Sequence, residues 1–328
     1  MTLPPEAEQS IARLLRKRAA DPWSPEALAL PQPARRSEED EAALVQYLVD
    51  FQQIERMAGA MFGAMAERVN HAPLRDLLCA FVEDEARHAG ALRRLEVLHN
   101  QRRLRVYEPT PSLVRLGERL AAWIRLAPPE AAAVGVTVGE IAFDIAYLGP
   151  LEVFAEDPAT ATVLARIHRD EARHLALDHL LLDLAPLLEG PELGVRGTAR
   201  YLWAWVRVLE AGFPFMRDTF FGTSGQLDPE GQRLREAARR IELAMDREAV
   251  RRRPVALLYE GMQRSFEAPL VGDLVRRVFA KILRADPDVF RRQTTAKERA
   301  SARQRTAGEA AEAVIAEFSR EARISLGP

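Results

Sequence analysis

The pentapeptide Asp-Glu-Ala-Arg-His occurs twice in the chain, at Asp84–His88 and again at Asp170–His174. In each copy a glutamate stands three residues before a histidine, and residues at this spacing share one face of a helix. Each copy can therefore direct a carboxylate and an imidazole at a common point. Two such points that meet inside a helical bundle predict a dinuclear metal site. The two ligand pairs are Glu85 with His88 and Glu171 with His174.

Two further glutamates, Glu55 and Glu140, stand where the helical pattern requires an apolar residue. Glu55 precedes Glu85 by 30 residues, and Glu140 precedes Glu171 by 31. An unpaired carboxylate in a bundle core is costly, so it needs a cation or a proton. The spacing predicts two helical hairpins of the same design, each with a lone glutamate and then Glu-x-x-His. The predicted metal ligands, through which catalysis would run, are Glu55, Glu85, His88, Glu140, Glu171 and His174.

The donor set limits the chemistry of this site. Four carboxylates and two imidazoles provide hard oxygen and borderline nitrogen donors, which suit iron or manganese. The four negative charges would balance two divalent cations and leave a nearly neutral core. Two metal ions allow O2 to be reduced by two electrons without release of a radical. These donors suit two iron ions and a manganese–iron pair alike as the cofactor, and O2 would be the co-substrate.

The doubled motif resembles that of the ferritin-like di-iron carboxylate proteins over roughly residues 40–185. The longer form Asp-Glu-x-Arg-His is similar to the double motif of bacterial multicomponent monooxygenase hydroxylases, in which the glutamate and the histidine bind iron. The resemblance implies that Asp84 and Asp170 accept a proton from a ligand histidine and fix its tautomer. It also implies that Arg87 and Arg173 pair with these two carboxylates.

Two residues near the predicted ligands have open roles. Asp144, one turn after Glu140, could replace that ligand or lie behind it. His168 lies one turn before Glu171, and the similar aminobenzoate N-oxygenases carry an extra histidine on this helix. In that family the histidine stands four residues before the glutamate, at the position of Ile167 here, so His168 is either a seventh ligand or a polar residue behind the site. The remaining histidines are expected at the surface or in loops: His71, His99 and His179.

Helical periodicity covers most of the chain, and strand-type alternation is nearly absent. We therefore predict an all-α protein, a ferritin-like four-helix bundle with a dimetal core plus additional C-terminal helices. Three parts are expected: an N-terminal extension (1–36), the di-iron bundle (37–190) and a C-terminal helical extension packed on the bundle (191–328). The two hairpins are joined by a long connection over residues 101–130.

Local signals predict several helix boundaries. Asp157 is suited to cap a helix that begins at Pro158. Gly149-Pro150 and Pro214 are expected to kink or end the helices in which they lie. Further helices are predicted near residues 229–251, 255–283 and 310–322.

Small residues beside Glu55 and Glu140 have two interpretations. They fit close helix packing, and they also fit an opening for O2 and an organic substrate. These residues are Ala58, Gly59, Gly63 and Gly139.

The composition of the 328-residue chain excludes some classes of function. The net charge of −2 arises from 46 basic and 48 acidic residues, so no nucleic-acid partner is expected. The single cysteine, Cys79, allows no intrachain disulfide and fits a reducing compartment. The sequence shows no secretory h-region and no apolar run long enough to span a bilayer. We expect a cytoplasmic protein without a membrane partner.

The leading functional hypothesis is a non-haem di-iron monooxygenase or oxidase that acts on a small organic or lipid-like (acyl) substrate. The reaction would be N-oxygenation, hydroxylation or desaturation. No GxGxxG context for a nicotinamide or flavin is present, so a separate ferredoxin or reductase would supply electrons. A homodimer fits this architecture. The alternatives are a ferroxidase or iron-handling protein without an organic substrate, and a metal-free structural bundle.

Overall fold

The chain folds into helices only, in the part that the structure describes. The computed structural model describes residues 3–103, 105–185, 188, 194–223, 231–248, 250–269, 271–305, 309, 313 and 316. No strand occurs among these residues, which confirms the prediction of an all-α protein. None of the described helices has both the length and the apolar character needed to cross a lipid bilayer.

Twelve α-helices are present in the described residues, together with four shorter helical segments. The α-helices are α1 (Pro5–Ala20), α2 (Glu38–Ala66), α3 (Ala72–His99), α4 (Pro111–Leu126), α5 (Pro129–Phe143), α6 (Gly149–Ala155), α7 (Pro158–Leu184), α8 (Val195–Phe215), α9 (Gln232–Met245), α10 (Pro254–Glu267), α11 (Gly272–Leu283) and α12 (Ala296–Gln304). The shorter segments are 3₁₀-helices at Pro25–Ala27 and Pro287–Phe290 and π-helices at Asp144–Leu148 and Met216–Thr223.

The long helices α2, α3, α5 and α7 pack side by side and carry all six predicted ligands. Helix α2 packs against α3, and α5 packs against α7; the two pairs meet where α3 contacts α7 and α2 contacts α5. Helix α4 lies over α2 and in turn supports α8, while α1 crosses α3 and α7. The predicted connection over residues 101–130 thus contains the four-turn helix α4. This helix connects the two helix pairs and lies over the pair formed by α2 and α3.

Side-chain caps set the ends of the ligand-bearing helices. The Ser37 hydroxyl accepts a hydrogen bond from the Asp40 amide at 3.1 Å, and the first turn of α2 that follows is acidic, which suits the helix dipole. The Asp157 carboxylate accepts hydrogen bonds from the amides of Ala159 and Thr160, both at 3.0 Å, at the start of α7. The predicted start of this helix at Pro158 is confirmed.

The helical run of α5 neither ends nor breaks at Gly149-Pro150. It continues through the π-helical segment Asp144–Leu148 into α6. Proline lacks an amide hydrogen, and its ring collides with the carbonyl group four residues earlier, so the turn before Pro150 must widen. Pro214 likewise lies inside α8, which passes directly into the second π-helical segment.

The single helix predicted over residues 255–283 is wrong, because two helices occupy this range. Helix α10 ends at Glu267, and Ala268 takes an extended ψ of 128°. The next residue is Pro269, which disfavours helical backbone at the residue before it. A Cβ atom at Gly272 would lie 2.4 Å from the Phe266 carbonyl oxygen, so only glycine fits the start of α11. The helix predicted near 310–322 lies mainly outside the described residues.

We expect Asp157→Ala to lower the free energy of unfolding by about 1–2 kcal/mol at neutral pH, because α7 loses its N-terminal cap. Burial raises the pKa of Asp157, but hydrogen bonds from His99 and Thr160 outweigh it and bring the pKa to about 2. The ionised cap therefore stabilises the fold above the ordinary aspartate pKa of about 4, and this contribution disappears as the pH falls towards 2.

Urea unfolding of the wild type and the variant across this pH range measures the effect. Asp157→Asn is the matched control, since the amide oxygen can still accept the hydrogen bonds of the helix amides. An Asn variant as unstable as the Ala variant would contradict the capping role.

Candidate metal centre

All six predicted ligands lie at one place in the core and are buried. They form two groups of four in which the potential ligand atoms lie within 4.8 Å of one another. The groups share Glu85 and Glu171, the glutamates of the two repeated motifs. The first group is Glu55, Glu85, His88 and Glu171, and the second is Glu85, Glu140, Glu171 and His174.

Each shared glutamate extends one oxygen towards each histidine. Glu85 Oε2 lies 3.4 Å from His88 Nδ1, while its Oε1 lies 2.9 Å from His174 Nδ1. Glu171 is placed in the same way, with Oε1 at 3.0 Å from His88 Nδ1 and Oε2 at 3.1 Å from His174 Nδ1. Two carboxylates that each face two histidines in this manner have the arrangement of bridging ligands.

The two lone glutamates distinguish the two ends of the centre. Glu55 Oε2 lies 3.6 Å from His88 Nδ1, so it belongs to the end formed by the first motif. Glu140 belongs to the end that contains His174. Each end thus has one glutamate of its own, one histidine and both shared carboxylates.

Several atoms of this cluster are buried without a hydrogen bond. They include both carboxylate oxygens of Glu85, Nδ1 of His88 and Oε1 of Glu140. The Glu85 oxygens do approach the imidazole nitrogens, but not with hydrogen-bonding geometry. Buried polar groups in proteins are nearly always satisfied, and converging donor atoms without hydrogen bonds are compatible with metal ions between them. The residues present therefore fit two metal ions with oxygen and nitrogen ligands.

The charges in the cluster depend strongly on one another. Burial, and then the neighbouring charge of Glu85, raises the pKa of Glu55 well above its usual range. Burial and the charge of Glu85 raise the pKa of Glu140 in the same way. Burial would also raise the pKa of Glu85, but the His174 and His88 imidazoles hold it well below its usual range. The shared Glu85 therefore keeps its negative charge beside the imidazoles, whereas the two lone glutamates favour the protonated form.

The imidazoles show the opposite behaviour. Burial lowers the pKa of an imidazole, but Asp170 and Glu171 raise the pKa of His88 well above its usual range. Glu171 and Glu85 outweigh burial at His174 in the same way. Protonated imidazoles and divalent cations are thus two ways of balancing the same carboxylates, and metal binding would release the imidazole protons.

The aspartate of each motif faces the histidine of the other motif. Asp170 Oδ2 lies 3.1 Å from His88 Nε2, and Asp84 Oδ2 lies 3.6 Å from His174 Nε2. The resemblance predicted aspartates behind the histidines, and the structure places them there crosswise. Because Nε2 of each histidine faces an aspartate, Nδ1 is left to face the shared glutamates.

The two arginines of the motifs pair with these aspartates, as the resemblance implied. Arg87 forms a hydrogen bond with Asp84 and a second one with Asp170 Oδ2 at 3.3 Å. Arg173 forms a hydrogen bond with Asp170. Arg87 therefore links the two motifs.

Two residues of the N-terminal extension complete this network, and the sequence analysis missed both. The indole Nε1 of Trp23 donates to Asp170 Oδ2 at 2.9 Å, and the guanidinium of Arg87 lies 5.2 Å above the indole ring. Arg18 of α1 donates through Nε to Asp84 Oδ1, also at 2.9 Å. No regular spacing connects these residues with the motifs, so no sequence signal marked them.

Three further buried polar residues lie outside both groups of four. Asp144 is buried, and burial, followed by the charge of Glu171, raises its pKa well above the usual range. Asp178 is also buried, and neither of its carboxylate oxygens forms a hydrogen bond. Its position one turn after His174 could have identified it in the sequence. His168 is buried on α7 and does not belong to either group.

Two of the small residues beside the predicted ligands, Gly59 and Gly139, lie at close side-chain contacts between helices. A Cβ atom at Gly59 would lie 3.2 Å from Cβ of Glu85, so this glycine lets α2 approach α3 at a shared ligand. A Cβ atom at Gly139 would lie 2.9 Å from Cε of Met61, so this glycine makes room for the Met61 side chain of α2. Of the histidines expected at the surface or in loops, His99 is instead buried, with Nε2 3.1 Å from the Thr160 hydroxyl.

Comparison with models of known protein families, with curated proteins and with solved structures gives no match to this chain.

Removing a shared glutamate should affect both ends of the centre, whereas removing a lone one should affect a single end. We expect two iron ions per wild-type chain, about one in Glu55→Gln and fewer than one in Glu85→Gln. Elemental analysis of iron-loaded, gel-filtered protein measures these ratios. Glu67→Gln is the control, because Glu67 pairs with Arg125 at the surface of the same hairpin. Equal iron content in Glu55→Gln and Glu85→Gln would contradict the assignment of the shared carboxylates.

We expect Asp170→Asn to weaken metal binding by roughly 10- to 100-fold, because His88 loses the carboxylate that orients it. Trp23→Phe should weaken binding less, since it removes only one of the donors to that carboxylate. Competition with a chromophoric chelator measures both affinities. A Trp23→Phe variant that loses more affinity than Asp170→Asn would show that the indole acts on the site by another route.

Proposed function

We propose that the protein is a ferritin-like di-iron carboxylate enzyme that uses O2 to oxidise an organic substrate. The observation that supports this proposal is the pair of shared carboxylates, Glu85 and Glu171, each with one oxygen towards either histidine. A single-ion site needs no such sharing. A metal-free bundle would have no reason to keep these buried donor atoms without hydrogen bonds.

The six converging side chains would hold the metal ions as two similar halves. Glu55 and His88 would bind one ion, Glu140 and His174 would bind the other, and the shared glutamates would bind both. When bound, two ferrous ions supply two electrons to O2 at neighbouring positions. Oxygen and nitrogen ligands of this kind also suit a manganese–iron pair.

The remaining residues of the site orient the ligands and exclude water. Asp170 and Asp84 keep Nε2 of the two histidines engaged, so that Nδ1 is presented to the centre. Arg87, Arg173 and Arg18 hold these aspartates, and Trp23 adds a donor from the N-terminal extension. All ligands are buried, so oxidising chemistry would be shielded from bulk water.

The substrate class and the electron donor belong to the same proposal. A small organic or acyl substrate would undergo N-oxygenation, hydroxylation or desaturation in the cytoplasm. A separate ferredoxin or reductase would return electrons to the metal ions after each turnover.

We expect anaerobically reduced, iron-loaded protein to consume O2 faster than the same concentration of free ferrous iron. Stopped-flow mixing with O2-saturated buffer, followed by an oxygen electrode and absorbance, measures the rate. Glu171→Gln should lose the accelerated phase, and Glu67→Gln should keep it. Rates in the wild type no higher than that of free iron would contradict the proposal.

The close helix contacts at Gly59 and Gly139, where an opening for a substrate was the other interpretation, favour a second candidate, a ferroxidase that handles iron without an organic substrate. Repeated additions of ferrous iron in air separate the two functions. An oxygenase retains about two iron ions per chain, whereas an iron-handling protein continues to accumulate ferric iron and forms a large cage on gel filtration.

A further inference from the structure

Helix α8 is apolar on two opposite faces. Its inner face packs on α4, where the ring of Trp123 stacks with Trp205 at 5.1 Å and with Tyr201 at 6.3 Å. Val208 and Phe215 are buried on the same side. One apolar face is enough to seat a helix on the protein core, so the second, outer apolar face of α8 requires an explanation.

The outer face carries an uninterrupted heptad pattern. Its apolar residues follow one another at intervals of four, three, four, three and four, and all are exposed. The exposed fraction of the large side chains ranges from 49% at Leu209 to 90% at Val195. The six residues are Val195, Ala199, Leu202, Val206, Leu209 and Phe213. This alternation of intervals is the pattern of a coiled-coil seam, which pairs one helix with another.

The composition of the seam suits a dimer. Trp203 lies beside it and is also exposed. Large exposed apolar side chains that line one helix face mark an interaction surface. Homodimer interfaces are more apolar than the rest of the protein surface and have a polar rim. The apolar seam, with charged residues beside it, has this composition.

The charges beside the seam favour an antiparallel pair. In an antiparallel register, Val195 faces Phe213 of the second copy, Ala199 faces Leu209, and Leu202 faces Val206, so all six residues are covered. With the seam residues at heptad positions a and d, Arg196 and Glu210 both occupy position e. In an antiparallel pair the e positions of the two helices lie side by side, so this register brings Arg196 close to Glu210 of the second copy. A parallel pair would bring neither residue to an opposite charge. Glu210 also pairs with Arg207 of its own helix.

We propose that two copies of this chain associate through their α8 helices, which pack antiparallel along the seam defined above. This dimer does not depend on the metal centre, since α8 carries none of the ligands. The partner of each chain is thus a second copy of the same protein. The two copies are related by a twofold axis that passes near residue 204.

Sedimentation velocity and light scattering on the full-length protein test the association. The wild type should be a dimer at micromolar concentration, and Val206→Glu should be a monomer with unchanged helical content. Leu274→Glu is the matched control, because Leu274 on α11 is 64% exposed and lies outside the seam; this variant should stay dimeric. A monomeric wild type at tens of micromolar, or a dimer unaffected by Val206→Glu, would overturn the proposal.

Engineered cysteines test the direction of the helices. In a Cys79→Ser background, the double variant Val195→Cys, Phe213→Cys should form an intersubunit disulfide on mild oxidation, and neither single variant should. The two positions are 18 residues apart, about 27 Å along the helix, so a single cysteine meets its equivalent only in a parallel pair. A disulfide in either single variant would overturn the antiparallel arrangement.

A lipid surface is the other class of partner that such a face could take. Flotation of the protein with phosphatidylserine vesicles, abolished by Val206→Glu, together with a monomeric protein in solution would overturn the dimer. Absence of vesicle binding in a dimeric protein supports it.

Discussion

Carboxylates buried among helices impose the main physical constraint on this molecule. An uncompensated charge in an apolar core is too costly to keep, so each buried carboxylate must meet a proton, a cation or a set of donors. The protein meets this requirement by concentrating the carboxylates at one place. The imidazoles lie next to the shared glutamates, and the guanidinium groups lie farther out, at the aspartates of the motifs. The four helices that carry the predicted ligands must consequently run close together at that level, and Gly59 permits this where α2 approaches α3.

The regular spacing of the predicted ligands along their helices explains why so much of the site could be predicted. Glu-x-x-His fixes two side chains on one face of a helix without any knowledge of the fold. Caps and prolines are also local signals, so the start of α7 at Pro158 was predictable from Asp157 and Pro158 alone. The same rule was available at Pro269 and would have divided the helix predicted over 255–283. Helical class and approximate boundaries therefore follow from short-range chemistry.

The contacts that complete the site are long-range, and the sequence does not encode them by spacing. Trp23 and Arg18 reach the aspartates of the motifs from a segment that lies far from both in the chain. Asp178 is the exception, because it stands one turn after His174; the first motif has Leu92 at the equivalent position, so the internal repeat does not mark it. The crosswise contacts of the aspartates depend on how α3 packs against α7, which no local pattern determines.

The exchange of aspartates between the two motifs couples the two hairpins mechanically. If each histidine were oriented by the aspartate of its own motif, each hairpin could set its side-chain geometry without the other. Here a substitution at Asp170 disturbs the histidine of the opposite repeat, as one at Asp84 does in return. Neither hairpin can therefore hold its histidine in place unless it is docked against the other, so the geometry of the site forms only when the two hairpins assemble.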